Sequence, residues 1–378
     1  MLSSPPVVED AVPLEGVRRA LVVKLRHQGD VLLSSPVFSV LKCKAPQAEI
    51  DALVYADTAS MLMEHPSVNE VFCIDRAWKT LGPLAHASAE WRLLLQLRAR
   101  RYDLVLHLTE HWRGAWLARA LGVRWAVAPL VRARGRLWKR SFTHLVSAPL
   151  AGGRHVVESN LDALRRIGMY PPMEERGLTL VPGAAAEERV ARLLAECGLE
   201  DQSFVQVHPS SRWRFKCWPA DRWAALIDRL HAADCRVVLT AAPDAAEARM
   251  IEDIVRDVAR PVAANLSGRL SLKELAALTS RARLFIGVDS APMHIAAAVG
   301  TPAVAIFGPS GADLWGPWGT PRSGRHRVVA ADEYTCRPCG LDGCGGGKVS
   351  DCLVTLDVPR VWQAARESLE ASGFQEIR

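Results

Sequence analysis

Short, continuous apolar runs alternate with amphipathic stretches along nearly the whole chain. In the first half the runs fall at 20–25, 50–55, 71–74, 104–108 and 125–128, with helical periodicity at 31–42, 89–101 and 112–121. The second half repeats the rhythm, with apolar runs at 204–207, 237–240, 284–288 and 303–307 and helical stretches at 220–232, 245–258 and 272–281. Strands that are apolar on both faces belong in parallel sheets covered by helices on both sides. The predicted fold class is α/β, as two Rossmann-like doubly wound domains facing a central cleft. Tyr170-Pro171-Pro172, a polar stretch and Pro182-Gly183 interrupt the pattern, and a helix at 184–197 opens the second half. This divides the chain into a flexible lead-in at 1–18, a domain at 19–175 and a domain at 176–378. The amphipathic helix at 358–371 is expected to pack back across the hinge.

The 378 residues exceed one ordinary core, and 49% hydrophobic with 23% charged residues describes a globular chain. No uninterrupted apolar stretch reaches the ~18 residues of a membrane span. The first residues carry acids and prolines and no apolar signal core, which points to the cytoplasm. A net charge of +6 is modest, but Arg132, Arg134, Arg136, Lys139 and Arg140 crowd around Trp138. Such a patch suits anionic lipid headgroups or a phosphorylated substrate better than nucleic acid, for which no binding signature accompanies it; it is also compatible with a plain solvated loop. Nine cysteines without a secretion signal argue against a disulfide framework.

The most informative segment runs from Phe285 to Ser310. An apolar strand ends at Asp289-Ser290, and Pro292 lies in the first turn of a small-residue helix, with Ser290 as its N-cap. Unpaired N–H groups and a positive dipole end at the carboxyl end of a buried strand suit a diphosphate. After the strand at 204–207, Ser210, Ser211 and Lys216 precede another helix start, and they too fit a diphosphate: hydroxyls orient it and lysine supplies a point charge. Asp244, ending the next strand, is placed either to accept from ribose hydroxyls or to cap the following helix. In the first half, the strand at 20–25 leads into His27-Gln28-Gly29-Asp30. Asp30 there can take a proton from a sugar hydroxyl or cap a helix, and His27 is the rival base. His107-Leu-Thr-Glu110-His111 has the spacing of a zinc protease motif, but His107 closes a strand, so the two histidines cannot share a helix face. Cys336, Cys339, Cys344 and Cys352 are close enough in sequence to converge on a structural zinc or iron, although their spacing fits no standard pattern and spare reduced thiols are the alternative.

Three motifs together resemble the lipopolysaccharide heptosyltransferases, glycosyltransferase family 9: Gln28-Gly29-Asp30; His208-Pro209-Ser210-Ser211 with Lys216-Cys217-Trp218-Pro219; and Gly287-Val288-Asp289-Ser290 with His294. The segments GVDSAPMH and CRPCGLDGCGGGKVSDC look closest to the heptosyltransferase III branch. The resemblance implies a GT-B architecture, an ADP-heptose donor bound mainly by the second domain, and a lipid A–inner core acceptor bound mainly by the first. It implies inversion at the anomeric carbon without a catalytic metal, at the cytoplasmic face of the inner membrane. The heptose would pass to an inner-core heptose, the second one in the III branch. By motif, Asp30 would be the base, and Ser210, Ser211, Lys216 and the amides near Ser290 and Ala291 would hold the diphosphate. Asp289 and His294 would lie by the donor sugar, and Asp244 by the ribose. Many relatives carry Thr-Gly where this chain has Ser290-Ala291, which puts the side-chain contact more in question than the amides. A sugar-nucleotide epimerase and a non-catalytic nucleotide-sugar binding protein are the competing readings, since a shape alone does not decide a function.

Overall fold

The structure, a computed structural model, describes residues 8–147, 153–200, 203–319 and 326–371. The chain divides into two compact units, Met1–Thr179 and Leu180–Arg378. In the first, strands β1 (Arg19–Val23), β2 (Glu49–Tyr55), β3 (Glu70–Ile74), β4 (Leu104–His107), β5 (Trp125–Pro129) and β6 (His144–Val146) form one sheet. Its helices are α1 (Gln28–Leu32), α2 (Ser35–Lys44), α3 (Pro83–Ala99), α4 (Trp112–Leu121), α5 (Arg136–Lys139) and α6 (Val156–Arg165). The second unit holds β7 (Phe204–His208), β8 (Arg236–Leu239), β9 (Ala264–Asn265), β10 (Leu284–Val288), β11 (Ala303–Phe307) and β12 (Arg327–Ala330). Its helices are α7 (Ala184–Glu196), α8 (Ala220–Ala232), α9 (Ala245–Asp257), α10 (Leu272–Thr279), α11 (Ala291–Val299), α12 (Ala312–Trp315), α13 (Asp351–Val354) and α14 (Val358–Ala371).

The sheet orders are β3-β2-β1-β4-β5-β6 and β12-β11-β10-β7-β8-β9. All pairings are parallel. Both units therefore have the doubly wound order, in which the strand sequence reverses beside the first strand. The reversal leaves a crevice at the carboxyl ends of the two central strands, where such folds bind ligands. It lies between β1 and β4 in the first unit and between β7 and β10 in the second, so Asp30, the 208–219 loop and Asp289 all follow strands that flank a switch point. The interior strands β1, β7, β10 and β11 are almost wholly buried, which is why β1, β10 and β11 carry continuous apolar runs.

Several local expectations are corrected. The helix expected at 31–42 is two helices, α1 and α2, with Leu33 and Ser34 as a turn between them and the Ser34 hydroxyl donating to Val31 O. Helix α3 begins at Pro83, earlier than its periodicity suggested, because proline at the first helical position loses no hydrogen bond. Residues 1–7 of the expected lead-in lie outside the described residues. From residue 8 onward the segment is anchored, not loose: Val12 and Val17 are buried, Val12 N–H donates to Ile167 O, and Asp10 makes paired bonds of 2.8 and 2.7 Å to Arg166. Helix α14 sends Val358, Val361, Ala365 and Leu369 into the core formed by β7, β8, β10, β11 and α8. Its apolar face is thus occupied by the second unit's own sheet, where packing across the hinge was expected.

Candidate active site

In the second unit, β7 and β10 approach each other closely at their ends. Gly287 pairs with His208, and a Cβ at Gly287 would meet His208 O at 2.9 Å and the Phe285 ring at 2.8 Å. His208 is buried, its Nδ1 lies 3.0 Å from Thr240 Oγ1, and burial pulls its pKa down to about 4. Burial thus disfavours its charged form. The loop that follows is fixed on both sides of Lys216. Phe215 is buried and its carbonyl accepts from Ser350 Oγ at 2.7 Å; the fully buried Trp218 donates from Nε1 to Leu356 O at 3.0 Å and packs edge-on against Trp223.

With its neighbours anchored, the Lys216 ammonium is delivered to Asp289, donating from Nζ to Oδ2 at 2.6 Å. The side chains are 22% and 6% exposed, so the cation keeps an open side while the carboxylate is nearly enclosed. Ser290 adopts an extended backbone at the start of α11, and its hydroxyl donates back to Val288 O at 3.3 Å instead of capping the helix. The first-turn amides of α11 thus receive no side-chain cap, as an anion site at a helix N-terminus requires. His294 is buried on the same helix.

The remaining donor-side residues already have partners within the second unit. Ser210 is buried and its hydroxyl donates to Glu247 Oε2 at 2.6 Å, so its proton is already committed. Glu247 also accepts from Ala242 N at 3.0 Å, tying the ends of β7 and β8 together. The Ser211 hydroxyl accepts from Trp213 N in a local turn. Asp244 caps α9, accepting from the amides of Ala246 and Glu247 at 2.8 and 3.2 Å. Of its two expected roles, capping is the one its geometry serves. Glu247 was missed because an acid in the first turn of a helix reads as ordinary dipole compensation.

In the first unit Asp30 is half-buried in the first turn of α1, three residues past the N-cap His27. It is not the helix cap, and His27 makes no side-chain capping bond. The neighbouring charge is Lys24, at the end of β1. It is buried, and its Nζ donates to Asn160 Oδ1 at 2.8 Å and to Leu108 O at 3.3 Å. Burial pulls its pKa down to about 8, a fall that the charge of Asp30 opposes. Lys24 was also missed; a lysine embedded in the run ALVVKL was the signal. The Asp30 carboxylate thus favours the charged form of the buried Lys24 ammonium.

His107 is fully buried, stacked on Phe142 with Nε2 3.1 Å from His111 O, under a glycine (Gly114) whose Cβ would collide with its ring. His111 caps α4 through Nδ1. Neither is arranged as a zinc ligand. In the basic segment, Trp138 belongs to the core, while Arg134 lies over the rings of Trp112 and Trp138 and donates to Glu110 O.

The expected four-thiol centre is not formed. Cys336, Cys339 and Cys344 are exposed and Cys352 is buried on α13, and among the described residues no three His, Cys, Asp or Glu side chains are grouped to hold a metal ion. Hydrogen bonds within the protein organise the loop instead: Cys344 N to Val349 O, Lys348 to Asp342, and Asp351 N to Cys344 Sγ. Burial raises the Cys352 pKa, with the three other thiols adding to the rise and Arg337 opposing it. Cys339→Ser is accordingly expected to leave both the melting temperature and the metal content unchanged. Elemental analysis of protein purified without chelator checks this; one equivalent of zinc or iron, lost in the variant, would contradict it.

Two doubly wound parallel six-stranded sheets are the architecture of the GT-B fold. Comparison with known proteins agrees. The family model "Glycosyltransferase family 9 (heptosyltransferase)" matches residues 90–345. Lipopolysaccharide heptosyltransferase 3 of Escherichia coli is 40% identical over 296 residues, covering 78% of this chain and 84% of that one. The structure of the family 9 glycosyl transferase from Veillonella parvula DSM 2008 superposes with a TM-score of 0.79 at 22% identity, covering 96% of this chain and 99% of that one. That of E. coli ADP-heptose lps heptosyltransferase II gives 0.73 at 20% identity, over 94% and 100% of the two chains. The chain belongs to glycosyltransferase family 9, the heptosyltransferases, and is an enzyme of that family.

Proposed function

We propose that the enzyme transfers L-glycero-D-manno-heptose from ADP-heptose to a heptose of the lipopolysaccharide inner core, the second one, with inversion. The observation that carries this reading is the Lys216–Asp289 pair at the N-terminus of α11, in a chain 40% identical to a lipopolysaccharide heptosyltransferase 3. An acceptor hydroxyl attacks the anomeric carbon as the bond to the β-phosphate oxygen breaks. The hydroxyl proton goes to the Asp30 carboxylate and the bonding electron pair leaves with ADP. The anomeric centre passes through an oxocarbenium-like state, and the charge growing on ADP is met by the Lys216 ammonium, the Ser211 hydroxyl and the amides around Ser290 and Ala291. Asp289 holds Lys216 in place before the donor arrives, and His294 lies below the donor sugar. Ser210 shapes the loop through Glu247, and Asp244 keeps the start of α9 beside the ribose. Prepositioned cations and amides make a metal ion unnecessary for the departure of ADP. The setting is the cytoplasmic face of the inner membrane, where a soluble nucleotide sugar meets a lipid-anchored acceptor; no described helix is long and apolar enough to cross the membrane.

The test is ADP release from ADP-heptose in the presence of inner cores truncated before and after the second heptose, with the product anomer read by NMR. Transfer only to cores that contain the second heptose supports the reading. Turnover of the nucleotide sugar without acceptor would instead favour an epimerase, and ADP-heptose binding without turnover a binding protein.

A further inference from the structure

Helix α3 is apolar on two opposite faces. Ala89, Leu93 and Leu97 are buried, with Leu93 and Leu97 in the core cluster of the first sheet. On the other side Leu84, Trp91 and Leu95 are 88%, 57% and 47% exposed. At about 100° per residue these three fall within about 40° of one another around the helix, directly opposite the buried face. Trp116, on the neighbouring helix α4, is 61% exposed as well. Single exposed apolar residues are ordinary, but an aligned outward stripe containing a tryptophan is the pattern of a surface with a partner.

The charges around the stripe select the partner. Arg92 and Arg98 are exposed on α3, and Arg101 follows its end. The one acid of the helix, Glu90, is paired with Arg113 at 2.5 Å and with His86. A second copy of this chain meeting the stripe about a two-fold axis would bring like cations together. Anionic headgroups would neutralise the arginines while Trp91 and the leucines enter the headgroup–acyl boundary. We propose that the outward face of α3, with Trp116 beside it, docks the enzyme on an anionic lipid bilayer. The purpose of such docking rests on the lipid-anchored acceptor proposed above, whereas the surface itself is argued from α3 and the neighbouring Trp116.

Co-sedimentation with phosphatidylcholine vesicles, with and without phosphatidylglycerol, tests this. The wild-type chain should bind the phosphatidylglycerol vesicles and bind pure phosphatidylcholine much more weakly. Combined Leu84→Ser, Trp91→Ser and Leu95→Ser should lower vesicle binding by about tenfold or more. Combined Arg92→Glu and Arg98→Glu should remove the preference for phosphatidylglycerol; these residues are exposed, so this pair remains informative if the apolar triple variant does not fold. Absence of wild-type binding, or undiminished binding by a triple variant that melts like wild type, would overturn the proposal. So would a wild-type dimer that the triple variant dissociates without loss of vesicle binding. Transfer to a deacylated, water-soluble core is read in parallel and should be equal in wild type and variants. Its absence in the wild type would defeat the functional reading and leave the vesicle result standing.

Discussion

Asp30→Asn is expected to lower the transfer rate by ~10²–10⁴, the usual contribution of a positioned general base, while ADP affinity stays near the wild-type value. The amide keeps the shape of the carboxylate and removes the proton acceptor. ADP affinity should hold because Lys216, Asp289 and α11 belong to the second unit, and Asp30 to the first. The melting temperature should also change little. Asp30 sits inside the first turn of α1 and makes no cap, so it contributes the favourable dipole interaction, roughly 0.3–1 kcal/mol, beside its attraction for Lys24. Single-turnover kinetics with saturating donor and acceptor, alongside calorimetric titration of ADP, separates these effects. A variant retaining more than about a tenth of wild-type turnover would remove Asp30 from the chemistry.

Lys216→Ala is expected to be costly twice over. It removes the cation facing the departing ADP, a loss of about 10²–10³ in turnover by analogy with deleting one donor to a developing oxyanion. It also strands the nearly enclosed carboxylate of Asp289, which the ammonium pairs at 2.6 Å, so the melting temperature should fall. The double variant Lys216→Ala with Asp289→Asn separates the two costs: the melting temperature should largely recover because no buried charge is left unpaired, but activity should not. Lys216→Arg should restore turnover only in part, since a planar fork does not fill a site shaped for a point charge. If Lys216→Ala leaves kinetics and melting unchanged, the pair has neither role. If the double variant regains activity, Lys216 is only a partner for Asp289.

Most of the fold was legible because its central strands are buried on both faces. In β1, β10 and β11 burial on both faces forces a continuous apolar run, whereas β7 buries the polar Gln206 and His208 among its apolar residues. Strands β6, β9 and β12 were not legible. They are short and sit in the outer half of their sheets, where pairing with a neighbour, more than their own composition, makes them strands. The break between α1 and α2 was hidden as well, since the apolar periodicity continues through Leu33.

The candidate site divides in the same way. From the chain alone come the α/β class, the two-unit division, and the positions at strand ends of Asp30, Lys216, Asp289 and Ser290, because a strand end followed by a helix start is written in adjacent residues. Tertiary structure decided which of these groups meet and which are already spent. Lys216 and Asp289 are 73 positions apart and touch because β7 and β10 are neighbours at the switch point. Ser210 finds Glu247, and Lys24 finds Asn160, only once parallel pairing has stacked distant strand ends at one edge. It also decided that Asp244 caps α9 and that, among the described residues, no three of the cysteines are grouped to hold a metal ion. Sequence spacing bounds how near two groups can come, but the direction of each side chain is set by packing and hydrogen bonds to partners far along the chain.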